Sequence, residues 1–438
     1  MTEPARWQGS VRRLLAAGAL LHLLFTTLIY VVGRSGLLPR MIYANGAMPV
    51  DGAIYLEKCV ALGQNISRFA VNDTPVHVRL YALSSAILTP ILGANILSVE
   101  LTGLLLYVLM LFLIYKVGEI CFDARTGIVA AAIVGLLPSL LLHSTQPLHD
   151  PLFIVLMLLN LWLTIALITK PVNFARAAIY TAGGFLTLLL LWLTRDAMWP
   201  VYLAIVALAL AVLCIVSLKD RRILFPNFAC LLFLAVALVL IPKIFAGWLP
   251  PKEPVTSAQE QAIEEFRNQQ INAGQSGVFL KLSTMRQKFV VLYPDAGSNI
   301  DTGQTFRKTS DVLFYLPRAA AIGLFAPFPA QWLTEGKMFG RLGRIVSGVE
   351  MCFFYLLSLC ALAGIWRSRR SMQTWFLLAV VLLGAAALGL VVVNLGALYR
   401  MRYVFWILLV IPGAHFLQKY LTPKLFAHPL YNRERKGV

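Results

Sequence analysis

About ten long apolar runs separated by short polar connections constrain this chain more than any other feature, because each approaches the roughly 20 residues that a bilayer-spanning helix needs. They fall at 14–33, 97–115, 127–142, 151–169, 177–194, 197–218, 223–242, 347–366, 373–393 and 403–418. Hydrophobic residues make up 59% of the chain and charged ones only 13%, whereas soluble domains carry about a quarter charged residues. The expected fold class is therefore all-α: a polytopic membrane protein of about ten transmembrane helices with interfacial helices on its outer face. Disorder, a disulfide scaffold and a nucleic-acid-binding domain are excluded as primary readings, and the lipid bilayer is the first expected partner. Arg12 and Arg13 precede the first run without a small-residue cleavage signature, so it reads as an uncleaved helix. The six cysteines (Cys59, Cys121, Cys214, Cys230, Cys352 and Cys360) show no ligand spacing, which predicts neither a disulfide framework nor a zinc site.

The chain carries 38 Lys and Arg against 20 Asp and Glu, a formal net charge of +18. With the N-terminus in the cytoplasm, the short connections on that side hold Lys116 and Arg125, Lys170 and Arg176, Lys219, Arg221 and Arg222, and Arg367, Arg369 and Arg370. The N-terminal segment and the tail, with Lys424, Arg433, Arg435 and Lys436, add more. Basic residues are then roughly three times denser there than on the other side, the bias expected of cytoplasmic loops. Both termini are expected in the cytoplasm of an integral plasma (inner) membrane protein. Two apolar stretches are left out of the crossings. Residues 80–94 are short and contain Pro90, and residues 312–329 are interrupted by Pro317, Arg318, Pro327 and Pro329. Both are read as interfacial or re-entrant helices on the outer face. Three regions follow: a transmembrane module over 1–242 with a first outer loop at 34–94, a large extracytoplasmic segment at 243–346, and C-terminal helices with a basic tail over 347–438. Only the outer face has enough polar chain to build a site.

Candidate chemistry sits in the outer loops. Asp51, in MPVDGAIYLEKCVAL, is either the N-cap of a helix carrying Tyr55 and Val60 or a carboxylate acting as general base. Asp150, in the short loop LLHSTQPLHDPLF with His143 and His149, is either an N-cap before Pro151 or a second acidic group at the membrane surface on the same side as Asp51. Arg195 adjoins Asp196 at the end of the fifth crossing, as an ion pair or as a bidentate donor to phosphate. Arg400 and Arg402 make the same offer between the last two crossings, or snorkel to headgroups. Their i, i+2 spacing predicts an extended or turn backbone rather than a shared helix face, and the long uncharged stretch before them leaves 394–399, including Tyr399, to enter the outer site. The segment with Lys281, Arg286, Lys288, Arg307, Lys308 and Arg318 is a solvated basic surface or a funnel for an anionic lipid-linked substrate. Glu100 and Glu350 are intramembrane carboxylates, functional candidates by default or snorkelling.

The order of these features, DGAIYLEKC, a surface helix ending ILG, LIYKVGEICFDARTGIVAA, LLPSLLLHSTQPLHDPLFIVL and NLGALYRMRY, resembles the GT-C superfamily of polyprenyl-phosphate-sugar-dependent glycosyltransferases. Within it, the resemblance is to the protein O-mannosyltransferase and lipid A aminoarabinose transferase group. It covers the first 200 residues best and the last 50 moderately, and reaches 243–346 only through LFAPFPAQW. The resemblance implies Asp51 as catalytic base and Asp150 at the second-loop acidic position, with Arg195, Arg400 and Arg402 on the donor phosphate. Tyr55, His149, Arg318 and Tyr399 become candidate substrate contacts. His149-Asp150 stands where members carry DxD or ExD, which argues against a tightly held metal; a divalent metal is left open, and no other cofactor is expected. No soluble C-terminal domain follows, so acceptor recognition is expected from the outer loops.

The expected reaction is a single-step inverting transfer. A sugar moves from a polyprenyl-phosphate-linked donor to a glycan, glycolipid or protein acceptor at the extracytoplasmic face. Two alternatives stand beside it: a polysaccharide polymerase or ligase using a diphosphate-linked donor, and a transporter or flippase for a lipid-linked sugar. The first need not have a carboxylate base in the first loop, and the second predicts polar residues along a path through the crossings.

Overall fold

The computed structural model describes residues 3–65, 69, 74–221, 224–249, 256–292, 294, 298–333 and 340–421. Arg222 and the basic residues of the tail beyond 421 lie outside them. Helices dominate, and the single β-bridge among the described residues joins Asn299 to Asn394. Eight helices are long and apolar enough to cross a membrane, and ten if each of two bent pairs is one span. The chain is an integral membrane protein, and the ten apolar runs in the sequence correspond to these ten segments.

The first span is α1 (Glu3–Ser35). Two helices of the first long loop follow, α2 (Asp51–Gln64) and α3 (Val76–Leu92). The next span is α4 (Glu100–Cys121). Then comes the first bent pair, α5 (Ala124–Gly135) and α6 (Pro138–Ser144), with a 74° bend. Pro138 starts α6, where its missing N–H costs nothing. Four spans run on as α7 (His149–Thr169), α8 (Phe174–Thr194), α9 (Trp199–Asp220) and α10 (Phe225–Ile244). The second long segment holds α11 (Ser257–Asn272), α12 (Gly277–Leu292) and α13 (Thr309–Phe325). The last spans are α14 (Gly340–Arg367), α15 (Met372–Val391) and the second bent pair, α16 (Leu395–Met401) with α17 (Tyr403–Phe416), bent by 54°.

Helix α7 is the axis of the first half. It is buried nearly all round, and its continuous apolar sequence needs no polar face because α4, α8 and α9 surround it. In the second half α17 plays that part between α5, α14 and α15. The outer helices keep Leu, Ile and Phe exposed along one side, as lipid-facing helices do.

Helices α3 and α13 are 17 residues each, about 25 Å at 1.5 Å per residue, and so fall short of a hydrocarbon core of about 30 Å. The expected interruption at Pro317 and Arg318 is not observed: α13 runs through both and ends at Ala326, before Pro327. The reason is its packing. A β-carbon on Gly389 would collide with the Ala319 carbonyl, and one on Gly323 with that of Ala385. This close antiparallel contact with α15 holds the helix despite the hydrogen bond that Pro317 removes.

Where these broken segments end inside the protein, side chains take up the loose carbonyls. Tyr355 Oη donates to Phe325 O at 2.8 Å and Trp406 Nε1 to Leu324 O at 2.9 Å, while the guanidinium of Arg402 donates to Ala326 O. Arg286 does the same for α15, donating to Leu390 O at 2.9 Å and Gly389 O at 3.2 Å.

Candidate active site at one end of the bundle

The turns α6–α7 and α8–α9, the helices α2 and α3, and the short helix α16 meet at one end of the bundle. The loop before α2 is folded back onto the turn between α6 and α7 by Gln146, which is fully buried. Its Oε1 accepts from Met48 N at 2.8 Å and its Nε2 donates to Gly46 O at 3.2 Å. A β-carbon on Gly52 would press against the same Oε1. Val50 is held at φ 64°, ψ −106°, a left-handed conformation that is strained for a β-branched residue. That kink places Asp51 as the first residue of α2 rather than as its N-cap, so its carboxylate does not serve the helix backbone. It accepts instead from Arg400 Nη2 at 2.6 Å.

Asp150 lies in the first turn of α7, where the helix dipole favours a carboxylate, and it is 1% exposed. Arg195 Nη2 donates to Asp150 Oδ1 at 2.9 Å, with the guanidinium over the Phe153 ring at 4.8 Å. Arg400 Nη1 stands 3.9 Å from the other Asp150 oxygen. The four charges therefore alternate, Asp51, Arg400, Asp150, Arg195, and sum to zero. Arg195 also contacts His149 Nε2. The His149 ring belongs to an aromatic group in which Tyr55 and His77 lie edge to face at 4.6 Å, with His77 and His149 at 5.6 Å. Burial, and then the neighbouring His149, holds His77 neutral, well below the ordinary imidazole pKa.

Of the residues singled out in the sequence, Asp51, Asp150, Arg195, Arg400, Tyr55 and His149 come together here. Three do not. Arg402 is fully buried between Tyr399 and Trp406, at 4.4 and 4.0 Å from their ring centroids. It caps α13, so it lies apart from any phosphate site. Arg400 and Arg402 diverge because residues 395–401 form a short helix, not the extended or turn backbone expected. Tyr399 turns inward and donates to Glu350, whose other oxygen accepts from Ser139 Oγ at 2.7 Å and Ser139 N at 3.2 Å. Glu350 thus ties α16 to the first turn of α6 and does not snorkel. Glu100 does not snorkel either: it pairs with His22 Nδ1 at 2.7 Å in the interior. Arg318 belongs to a separate ion pair, with Nε 3.1 Å from Asp301 Oδ2, and it is about half exposed. Burial alone would raise the Asp301 carboxyl, but hydrogen bonds from Arg318 and Tyr315 hold it below the usual carboxylate range. His77 and Gln146 were not foreseen. The only sequence signal for His77 was a histidine opening the apolar run VHVRLYAL, and Gln146 had none.

No protein-family model matches the sequence, and no curated protein matches it. Solved structures do. The archaeal oligosaccharyltransferase AglB from Archaeoglobus fulgidus, in complex with an inhibitory peptide and a dolichol-phosphate, superposes with a TM-score of 0.52 at 16% identity. The match covers 100% of this chain and 52% of AglB. The apo form of the Archaeoglobus fulgidus enzyme gives 0.51 at 15% identity over 99% of this chain and 52% of its own. ArnT from Cupriavidus metallidurans, bound to undecaprenyl phosphate, is a weaker likeness: TM-score 0.36 and 13% identity, over 93% of this chain and 79% of ArnT. The chain spans about half the length of the AglB structures it matches. What the AglB likenesses establish is architecture: this chain shares the all-α, polytopic membrane fold of those structures.

Proposed function

We propose that the chain is an inverting glycosyltransferase that moves a sugar from a polyprenyl-phosphate donor to an acceptor at the extracytoplasmic face. The observation that carries this reading is the Asp51–Arg400–Asp150–Arg195 cluster, built from four separate elements at one end of the bundle. Two supports stand beside it. The AglB structure that shares this fold was solved with a dolichol-phosphate, and the basic residues concentrated at the opposite end fit a cytoplasmic face there.

In this mechanism Arg195 and Arg400 bind the donor phosphate through their guanidinium groups. Asp51, at the membrane surface, takes the proton from the acceptor O–H or N–H as that oxygen or nitrogen bonds to the anomeric carbon. The bond from that carbon to the phosphate oxygen breaks, and its electron pair leaves with the polyprenyl phosphate. The two arginines stabilise the charge that develops there. The donor set does not fit a divalent ion: among the described residues no three His, Cys, Asp or Glu side chains gather to hold one, and Arg400 already spans both carboxylates. No step is routed through a metal.

The test mixes the purified protein with a polyprenyl-phosphate sugar and a membrane glycan extract and follows release of free polyprenyl phosphate. A positioned base contributes about 10²–10⁴-fold in rate. Asp51→Asn should therefore lose at least about two orders of magnitude in turnover while donor binding is retained. Wild-type turnover in that variant removes Asp51 from the mechanism. Release of polyprenyl diphosphate points instead to a polymerase or ligase, and sugar-lipid movement across vesicles without transfer points to a flippase.

A further inference from the structure

Behind the charged cluster, four buried polar atoms have no hydrogen-bond partner among the described residues: His77 Nε2, Tyr81 Oη, Asp150 Oδ2 and Arg195 Nη1. Their side chains are 2%, 1%, 1% and 7% exposed. Buried polar groups are nearly always paired, since leaving one without a partner costs about 1–3 kcal/mol. Four on neighbouring elements mark a region with unused hydrogen-bonding capacity. Contacts link the elements that carry them. His77 and Tyr81 are one turn apart on α3, the helix that packs against α7 and α8. The His77 ring is 5.6 Å from that of His149, which itself touches Arg195. The Tyr81 hydroxyl is within electrostatic reach of Cys59, Glu100 and, least of the three, Asp150.

The mixture of atoms identifies the ligand class. A phosphate needs donors only, whereas this set holds acceptors as well. A prenyl chain needs no polar partner at all. A set holding a carboxylate acceptor, a guanidinium donor, a phenol that does both and an uncharged imidazole nitrogen matches hydroxyl groups, each of which donates once and accepts. We propose that His77, Tyr81, Asp150 and Arg195 form a buried subsite that reads the hydroxyls of a polyhydroxylated ring, the donor's sugar, behind the phosphate held by Arg195 and Arg400. This rests on the glycosyltransferase reading and deepens it. The guanidinium of Arg195 then has two tasks, with Nη2 fixed on Asp150 and Nη1 placed where the sugar joins the phosphate. Sites built to hydrogen-bond a hydroxyl discriminate strongly against a ligand lacking it, because their own polar atoms are then left bare.

The test uses the full-length protein in detergent micelles with two probes, polyprenyl phosphate and polyprenyl-phosphate-hexose, titrated by intrinsic tryptophan fluorescence, with the thermal midpoint measured in parallel. Tyr81→Phe removes only the hydroxyl. The expected result is a thermal midpoint equal to or above wild type without ligand, because an unpaired buried hydroxyl has been removed. Affinity for the hexose-bearing lipid should fall about three- to tenfold, with affinity for the bare phosphate unchanged. A structural role for Tyr81 would instead lower the midpoint and weaken both lipids together, and that outcome overturns the proposal. Unchanged affinity for the hexose-bearing lipid overturns it as well, and leaves the glycosyltransferase reading standing. If the wild-type protein binds neither lipid, that reading falls and the subsite with it.

Discussion

His77 is the residue whose chemistry the fold alters most visibly outside the membrane spans. It is 2% exposed and neutral, held between Tyr55 and His149 and facing Asp150, Arg195 and Lys58. In the unfolded chain its imidazole titrates near 6.5, but in the fold its pKa lies well below that. Its contribution to stability is therefore fully present above about pH 6.5 and is lost as pH falls, since the unfolded state takes up a proton that the folded state refuses. The thermal midpoint of wild type should drop between pH 7 and pH 5 by more than that of His77→Asn; equal drops would place the acid sensitivity elsewhere. His77 also marks where sequence reading stops at this scale. Asp51, Asp150, Arg195 and Arg400 could be picked out because charges are rare in so apolar a chain and each sits in a connection that must reach the membrane surface. A histidine or a glutamine in a loop carries no such signal. Gln146 gains its importance only from Met48 and Gly46, about a hundred residues earlier in the chain, whose backbone groups it holds.

At the scale of single elements, the two short apolar helices and the two bent spans decide how the site is held. A helix that ends inside the protein exposes carbonyls that neither water nor lipid can satisfy. The three carbonyls at the end of α13 are met by Tyr355, Trp406 and Arg402. Arg402→Ala should therefore act as a stability change, lowering folding stability by about 2–5 kcal/mol through a buried cavity and an unsatisfied carbonyl. Arg318→Ala, which breaks a half-exposed ion pair with Asp301, should change it by at most about 1 kcal/mol. Denaturant or thermal unfolding of both variants in micelles checks the contrast; comparable, small losses would mean that the end of α13 is satisfied in another way. The spacing of Arg400 and Arg402 misleads for a related reason. Both look like cations at the mouth of the last crossing, but on a short helix with a bend at its end they point to different neighbours, one to Asp51 and the other into the core. At that bend Arg402 meets Ala326 at the end of α13 and Met351 of α14, both distant in sequence. Pro317 shows the same limit from the other side: its local preference is overridden by the Gly323 and Gly389 contacts with α15, which only the assembled pair contains.

For the whole molecule, the question that decides everything else is which apolar helices cross. If either α3 or α13 crossed alone, every later connection would change sides, and the Arg367, Arg369 and Arg370 cluster would move away from the other basic loops. Geometry argues against both. Each is about 25 Å long, and α13 lies antiparallel to the part of α15 nearest the site, with Ala319 beside Gly389 and Gly323 beside Ala385. It therefore descends from the site end and stops at Ala326, at the level of the α16–α17 bend, where Arg402 meets it. Residues 298–300 pair with 393–395 at the site end, so α13 starts on that side. Placing that side outside the cell leaves the loops at the opposite end as the basic ones. In a cysteine-free background, Gly303→Cys at the site end should react with a membrane-impermeant maleimide in intact cells, whereas Ser368→Cys should react only after permeabilisation. The reverse pattern would put Asp51 and its arginines on the cytoplasmic face, where an outer-leaflet lipid donor cannot reach them.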